Sequence, residues 1–541
     1  MEKVKKVFNL KEEKGLIVQE SHDFIESELQ KTKRVKRYVQ QSLLLSEEII
    51  VAMLNAAPEE GELRVSIQRD AWNVVVKVSA PGEEMDVNFA EGSESEADIR
   101  NVLFDAYSDK LSIKNRRGYN SVRLTVGVKA QKFAFDCLLG ILLGTGLFLI
   151  TTWMFPYKVV ETLSTGFFER VTSLVMNMFH VILGPVIFLS IISVSAKIAN
   201  ARSYENDIGI KTLNRSLRSS AVASVIGILS FALFDNLLEY SVAVTGAMVD
   251  SVGEMDFFDI LFSLVPQNLV SPFIEGNILQ IVFMAMVIGV AINFVTDHSN
   301  SFLEVTDALY ELTSKIVSAF GKCIPFGVFC TSYAVCYRYG VAVFYDLIPI
   351  VGCVLFGMIV MFIIYILNIV VSTRLNPFIF LKKVGPNIIS MFRYGSGVDA
   401  LQDSMRFCRT KLGVSPEVYN ITLPFGAQFN LDGTCIYMAV IGLSLAKLCG
   451  ISMYGNHLIT MIFSIMVLSI GAPNLAGSNI VCLLSLLTSI GVAPELVAVI
   501  MCIDPLLYLG IAVLNTVGDN VMSLCIAYQK GLLNKETYNR I

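Results

Sequence analysis

The chain has 541 residues, of which 54% are hydrophobic and only 16% are charged, and its mean hydropathy is +0.60. This composition excludes an ordinary soluble enzyme, and the formal net charge of −5 gives no indication of a nucleic-acid partner. The charged residues are concentrated in the first 130 or so residues, whereas long charge-free runs begin at Cys137.

The polar first part predicts a small soluble α/β domain over residues 1–130. Its hydrophobic periodicity predicts, in chain order, a helix at 24–56, strands at 63–68 and 72–79, a helix at 96–107 and a strand at 122–126. The first ten residues lack the apolar core of a signal peptide, so we expect this domain to lie in the cytoplasm.

A faint resemblance links this domain to the histidine-kinase-type ATPase fold. It rests on Glu47, Asn55 and the run Gly118–Ser121. The phosphate-binding glycine loops of that fold are missing, and only Pro81-Gly82 remains. A regulatory or docking module that binds a cytosolic partner is therefore favoured over nucleotide binding.

The apolar runs after Cys137 predict membrane helices, because a helix needs about 20 apolar residues to cross a bilayer and satisfies its own backbone hydrogen bonds there. Six helices are predicted at 133–155, 171–196, 217–247, 257–296, 304–336 and 342–373. Lysine and arginine cluster before the first helix and after the second, which predicts that both of these ends, and the two termini, face the cytoplasm.

The pattern changes after Leu375. Interrupted segments predict a hairpin at 376–415, a helix at 416–450 broken near Asn430–Gly433, a second hairpin at 456–493, and a last helix at 495–528 broken near Asn515–Asp519. Two corresponding halves of this kind indicate an inverted-repeat transporter with its site near the bilayer midplane. Residues 131–541 are thus predicted to form an all-α membrane domain of eight transmembrane helices and two re-entrant hairpins.

Asp432, Asp504 and Asp519 lie within these apolar stretches. A carboxylate at mid-bilayer is costly unless a cation or polar partner compensates it. Broken helices expose backbone carbonyls, and a carboxylate beside them makes an oxygen-rich shell suited to a hard cation such as sodium. The alternative is a polar hydrogen bond between helices, for which one Asp would suffice.

The run Thr422–Thr434, TLPFGAQFNLDGT, closely resembles the signature of the dicarboxylate/amino acid:cation symporter family, the glutamate transporter homologues. Further ordered similarities, at 185–188, 265–280, 325–329 and 377–383, extend the resemblance over most of the chain after residue 131. The family implies a homotrimer whose protomers each move a transport domain like an elevator against a fixed scaffold.

The resemblance also implies three sodium positions and no organic cofactor. One would use the backbone of Gly426, Asn430 and Asn515 and the carboxylate of Asp519. A second would use Asn430, Asp432 and a hydroxyl on the third helix, for which Ser224 is the candidate. A third would lie near the backbone of Gln428, Ser469, Ile470 and Ala472.

The substrate positions depart from the family pattern. The resemblance puts substrate-lining residues at Ser396, Gly397, Asp399, Thr434, Gly477, Asn479, Tyr508, Ile511, Ala512 and Asn515. Tyr508 stands where acidic amino-acid transporters carry an Asp for the amine, and Ile511 stands where they carry an Arg. An Arg holds a carboxylate with two charge-assisted hydrogen bonds, which Ile cannot do.

Two functional hypotheses follow. The first is a sodium-driven symporter in the cytoplasmic membrane, surrounded by lipid, whose cargo is a neutral or monoanionic solute such as a neutral amino acid. Asp399 is its candidate acceptor for a substrate amine, and the alternative is that Asp399 caps the hairpin helix or faces water. The second hypothesis is a membrane sensor on a transporter scaffold that signals through the N-terminal domain.

Overall fold

The computed structural model describes residues 2–11, 13–31, 36–58, 61–69, 74–82, 111–116, 119–126, 133–200, 203–235, 257–292, 299–391, 401–451, 453–471, 477–490, 492 and 496–540. The chain divides into two compact units, Met1–Gln131 and Lys132–Ile541. Each unit has its own hydrophobic core.

The first unit is a five-stranded antiparallel sheet in the order β1-β2-β3-β5-β4, with two helices between β1 and β2. The strands are β1 (Glu2–Asn9), β2 (Glu62–Arg69), β3 (Val74–Pro81), β4 (Leu111–Arg116) and β5 (Tyr119–Val126), and the helices are α1 (Lys14–Gln30) and α2 (Lys36–Ala56). Burial alternates strictly along β3, so one face of the sheet packs on the core while the other does not.

Two expectations for this unit need correction. The stretch predicted as one helix at 24–56 is divided between α1 and α2, and the sheet contains two outer strands, β1 and β4, that were not predicted. Lysine-rich sequence is common on edge strands, where it opposes edge-to-edge association, and it conceals the apolar alternation of β1. The helix predicted at 96–107 lies outside the described residues.

The second unit is helical. Its helices are α3 (Phe133–Met154), α4 (Tyr157–Leu163), α5 (Glu169–Asn200), α6 (Ser203–Phe234), α7 (Phe257–Ser263), α8 (Ser271–Glu275), α9 (Ile278–Ala291), α10 (Ser299–Gly321), α11 (Ile324–Tyr339), α12 (Val343–Thr373), α13 (Pro377–Met391), α14 (Leu401–Phe407), α15 (Pro416–Phe429), α16 (Asp432–Leu448), α17 (Asn456–Gly471), α18 (Ser478–Ser489), α19 (Val497–Met501), α20 (Asp504–Gln529) and α21 (Lys535–Asn539). Short π-helical turns at Ser164–Phe168 and Cys408–Leu412 precede α5 and follow α14.

Within the described residues, six helices are long and apolar enough to cross a membrane, and the count is seven if a bent pair forms one span. That pair consists of Phe302–Gly321 and Ile324–Tyr339, which meet at 48°. The predicted membrane protein of many apolar helices is confirmed at this coarser level, and the count of eight spans plus two hairpins stays a prediction.

The helix predicted at 257–296 is instead three helices, α7, α8 and α9. The Asn268 side chain accepts hydrogen bonds from the backbone N–H groups of Val270 and Ser271 and fixes a turn ahead of α8. Gly276 then ends α8 in the left-handed conformation, with φ of 66°. The Asn277 side chain caps α9 by accepting from the backbone of Gln280.

The last membrane helix is also different from the prediction, because α20 runs without a break from Asp504 to Gln529. Its polar residues bond without unwinding it, since the Thr516 and Ser523 hydroxyls donate to carbonyls one turn earlier. Gly518 serves close packing, because a Cβ there would lie 2.5 Å from the Tyr365 hydroxyl.

Candidate cation and substrate site

The predicted break after Phe429 is present, and it organises the site. Asn430 and Leu431 have φ, ψ of −110°, 64° and −100°, 56°, so the chain leaves α15 and restarts as α16 at Asp432. The backbone N–H of Gly433, in the first turn of α16, donates to Oδ1 of Asn515 on α20 at 2.8 Å. This bond satisfies one of the free N–H groups of the new helix and ties α16 to α20.

The Asp432 carboxylate is completely buried between three helices. Its Oδ2 accepts hydrogen bonds from Ser219 of α6 at 2.5 Å and from the Tyr365 hydroxyl of α12 at 2.6 Å. Its Oδ1 is buried and has no hydrogen-bond partner among the described residues. Because a buried carboxylate oxygen is costly to leave unmatched, this atom marks a position suited to a cation.

A second carboxylate, that of Asp519, lies close to the first. It is 5% exposed, and its Oδ1 accepts a hydrogen bond from Nδ2 of Asn430 at 3.1 Å. A Cβ at Gly426 would meet the same Oδ1 at 2.3 Å, so the carboxylate lies directly over the backbone of α15. The helix can approach this closely only because residue 426 is a glycine.

When ionised, these two acids place negative charge inside the protein. Among the ion pairs of the described residues, none joins a lysine or arginine to Asp432 or Asp519. Two buried carboxylates repel each other and are poorly solvated, and an oxygen-coordinated hard cation relieves both costs. The carboxylates of Asp432 and Asp519 with the side chain of Asn430 are the residues that would hold it.

The hydroxyl on the third helix differs from the one the sequence favoured. Ser224 is buried, but its hydroxyl donates to the carbonyl of Ser220 in its own helix. Ser219 is the α6 residue that contacts Asp432. Ser224 instead borders the Cys435 thiol, together with Ser220 and Ser469.

Three of the four residues predicted for a third cation position are described, and that position stays a prediction. Ser469 and Ile470 are buried, and the Ser469 hydroxyl donates to the carbonyl of Met466. The Gln428 side chain donates to the Tyr310 hydroxyl on α10 at 3.1 Å. Ala472 lies outside the described residues.

The predicted substrate positions fall in two groups. Thr434 donates to Oδ1 of Asn479 on α18 at 3.3 Å, while Tyr508, Ile511 and Ala512 are buried along α20. A Cβ on Gly433 would lie 3.1 Å from the Cα of Ile511, so α16 and α20 pack tightly here. Gly477 has φ of 90° and packs on the Phe179 ring. Ser396, Gly397 and Asp399 lie outside the described residues.

Asp504, at the start of α20, is a separate buried acid. Within the described part of the chain, neither of its carboxylate oxygens makes a hydrogen bond of standard geometry, although the Tyr437 hydroxyl of α16 lies beside them. Asp504 is one turn before Tyr508 and 15 residues before Asp519 on α20, which at 1.5 Å per residue separates the two acids by about 22 Å along the helix.

Sequence reasoning missed Ser219 and Tyr365. The feature of the sequence that could have indicated Tyr365 is its hydroxyl group, which is polar although the surrounding run 347–373 is apolar. It is fully enclosed, with 3% of its surface exposed, and a buried tyrosine hydroxyl usually has a partner.

A cavity of about 460 Å³ opens beside the cluster, between α6, α12 and α20. Ser219, Tyr365, Asn430 and Gly518 are among the residues that line it. Arg215 and Arg218 also line it, four residues and one residue before Ser219 on α6. The cavity thus connects the groups around Asp432 with a basic section of α6.

Replacing Tyr365 by Phe should destabilise the protein in sodium-free buffer by about 1.5–3 kcal/mol, the worth of a hydrogen bond to a charged group. The change removes one of the two donors to Oδ2 of Asp432 and nothing else. Thermal unfolding of purified protein measures the effect. Tyr345→Phe is the control, since Tyr345 lies on the same helix and is 72% exposed, and equal shifts for both variants would show that the Asp432 contact contributes nothing.

Buried acids beside a helix break, inside a bundle of apolar helices, define a membrane protein of the secondary-transporter class. The chain belongs to the sodium:dicarboxylate symporter family, whose model matches residues 132–529. This confirms the resemblance drawn from the Thr422–Thr434 run. The family and its relatives are transporters rather than enzymes.

Several relatives are named C4-dicarboxylate transport protein. The one from Rhodopseudomonas palustris (strain HaA2) is 25% identical over 415 residues, which cover 74% of this chain and 88% of the relative. The one from Bordetella avium (strain 197N) is 26% identical over 392 residues, 70% and 84% of the two chains. The one from Bacillus subtilis (strain 168) is 24% identical over 362 residues, 65% and 85% of the two chains.

Proposed function

We propose that this protein is a sodium-coupled symporter of the cytoplasmic membrane that carries a neutral or monoanionic solute, such as a neutral amino acid. The observation that carries the sodium half is the pair of buried carboxylates, Asp432 and Asp519, with an unmatched oxygen and no described basic partner. Sodium is a hard cation that prefers oxygen ligands, and these residues offer carboxylate and amide oxygens.

The substrate half rests on α20. The relatives' names point to C4-dicarboxylates, which carry two negative charges and need positive compensation in a buried site. Ile511 and Ala512 offer no charge, and Tyr508 offers a hydroxyl at most. A solute with no more than one negative charge is therefore the better match for this chain.

The remaining parts of the proposal follow the family resemblance. The protein works as a homotrimer with an elevator-type movement, and both termini face the cytoplasm. Hairpins at 376–415 and 456–493 close over the solute, with Asp399, Thr434 and Asn479 as contacts. The N-terminal unit is a regulatory or docking module rather than a nucleotide-hydrolysing one.

The experiment is a thermal-stability screen of the purified protein against a panel of neutral amino acids, monocarboxylates and C4-dicarboxylates, each with sodium and with choline. A ligand of the folded state raises stability by about 2.7 kcal/mol when present at 100 times its Kd. We expect a neutral or monoanionic hit that depends on sodium. Stabilisation by succinate or fumarate in place of the neutral solutes would contradict the substrate assignment.

The rival function is a sensor that binds a solute without moving it. It predicts the same stabilisation in the screen but no accumulation of the solute in sealed vesicles. Flux measurements therefore decide between the two.

A further inference from the structure

The cavity of about 460 Å³ between α6 and α12 has polar lining residues that the cation cluster does not use. They are two arginines of α6, Arg215 and Arg218, and two polar residues of α12, Asn368 and Ser372. Among the described residues, no aspartate or glutamate lines the cavity. A ligand inside it would therefore meet positive charge.

The two arginines have no ion-pair partner within the described part of the chain, since none of its ion pairs includes Arg215 or Arg218. Arg215 is half-buried and contacts the Cys525 thiol, and Arg218 is exposed. The nearest acid in α6 is Asp207, two helical turns before Arg215, and it is already paired with two lysines. The two guanidinium groups thus remain available for a ligand.

The buried acids of the cation cluster do not neutralise the arginines. Asp432 is separated from the cavity by the side chains of Ser219 and Tyr365, which line the cavity and donate hydrogen bonds to the carboxylate. A cation bound to the cluster would offset part of the charge of Asp432 and Asp519. The arginines are therefore the charged groups that a ligand in the cavity contacts.

The cavity lies at the outer surface of the helical unit, among exposed aliphatic side chains. Val222 of α6 and Leu367 and Val371 of α12 line it and are 43%, 56% and 82% exposed. Arg215, Arg218 and Val222 are three and four residues apart, so they follow one another on one face of α6. This face changes from basic to aliphatic along the helix. Exposed apolar surface next to charge on a membrane helix is suited to a lipid, which has an apolar tail and a polar headgroup.

The position of the arginines along α6 matches the depth of lipid phosphates. Asp235 directly follows α6 and pairs with Lys447, so it marks one end of the apolar part of the helix. The hydrocarbon layer is about 30 Å thick, which corresponds to about 20 helical residues. Counting about 20 residues back from Asp235 reaches Arg215. Helical side chains lean toward the N-terminus of their helix, so Arg218 also extends toward this nearer boundary.

We propose that this cavity binds the headgroup of an anionic phospholipid. Arginine holds a phosphate through parallel, charge-assisted hydrogen bonds, and Arg215 and Arg218 supply two such groups. The Ser372 hydroxyl donates to Oδ1 of Asn368 at 2.6 Å, so Nδ2 of Asn368 is the donor left for the headgroup. The acyl chains lie over the exposed aliphatic residues. A zwitterionic lipid fits less well, because its own cation would lie beside two arginines.

The test measures lipid binding to the full-length protein by native mass spectrometry, in detergent, with phosphatidylglycerol or phosphatidylcholine added. All titrations use choline salts without sodium, so the result does not depend on the proposed ion coupling or solute. We expect the first phosphatidylglycerol to bind at least about 10-fold more tightly than phosphatidylcholine, the worth of one charge-assisted hydrogen bond. Inorganic phosphate at 10 mM should not displace it, because a free anion lacks the acyl chains.

Two charge-matched double variants place the binding in this cavity. Arg215→Gln with Arg218→Gln should reduce the affinity for phosphatidylglycerol to that for phosphatidylcholine. Arg170→Gln with Lys322→Gln removes the same charge from exposed positions that do not line this cavity and should preserve the preference. Thermal unfolding without lipid checks that both variants are folded, and the comparison of the two lipids on the unchanged protein needs no variant.

Four results would overturn the proposal. Equal affinity of the unchanged protein for the two lipids would show that no anionic-lipid site exists. The same loss of preference in both double variants would show a general effect of surface charge. Displacement of phosphatidylglycerol by inorganic phosphate would assign the cavity to a soluble anion. Binding to the monomer but not to an oligomer of the protein would show that a second copy of the chain covers the cavity.

Discussion

Replacing Asp519 by Asn should weaken sodium binding by more than about 100-fold while leaving the protein folded. Loss of a residue that merely supports a metal ligand costs 10- to 100-fold in affinity, and loss of the carboxylate itself costs more. The amide of the new Asn side chain has nearly the same shape as the Asp519 carboxylate. It can therefore still accept the hydrogen bond from Asn430 and fit against the backbone of Gly426. Removal of a buried charge should leave sodium-free stability unchanged or raise it.

Isothermal titration calorimetry with sodium chloride, against choline chloride, measures this effect. Asp136→Asn is the matched control, since Asp136 is exposed at the start of α3 and should bind sodium as the original protein does. If Asp519→Asn and Asp136→Asn gave the same sodium affinity, the Asp432–Asp519 cluster would not be a sodium site.

Replacing Ile511 by Arg should create dicarboxylate binding. A guanidinium at this fully buried position can hold a carboxylate with two charge-assisted hydrogen bonds. Burying the guanidinium offsets part of this gain, so we expect the net worth of about one such bond, about 1.5–3 kcal/mol, and succinate binding about 10- to 100-fold tighter than in the unchanged protein. The gain should appear only with sodium present.

The control for this change is Ile511→Gln, because glutamine is polar and unbranched like arginine but carries no charge. Sodium titration of both variants checks that each remains folded, since Ile511 packs against the backbone of Gly433. Tight succinate binding by the unchanged protein would contradict the substrate assignment. It would direct attention to Arg393, in the first hairpin and outside the described residues, as the source of positive charge.

The helix break at Asn430–Leu431 was predictable because its signal is local. Asn-Leu-Asp-Gly combines a side chain that bonds to nearby backbone with a residue that weakens helical regularity, inside an apolar stretch. The same reasoning was wrong at Asn515–Asp519. There the Asn515 side chain accepts a hydrogen bond from the first turn of α16, and Gly518 leaves space for the Tyr365 side chain. These residues therefore contact neighbouring helices and do not interrupt their own helix.

Tertiary partners were less accessible to sequence reasoning. Tyr365 and Asp432 are 67 residues apart, and Ser219 and Asp432 are 213 apart, so no local pattern joins them. The choice of Ser224 rather than Ser219, the α6 serine that contacts Asp432, has a related reason. It required the register of α6 against α16, and serines at 219, 220 and 224 offer several registers of similar plausibility.

The central claim, sodium-coupled transport, is tested most directly by uptake into proteoliposomes. A mixture of radiolabelled neutral amino acids is supplied outside, with sodium outside and choline inside, and accumulation is compared with vesicles that have sodium on both sides. We expect at least one amino acid to accumulate above its external concentration only under the sodium gradient, and Asp519→Asn to abolish it. Accumulation that is identical with and without the gradient, or sodium-dependent binding without any flux, would contradict the account.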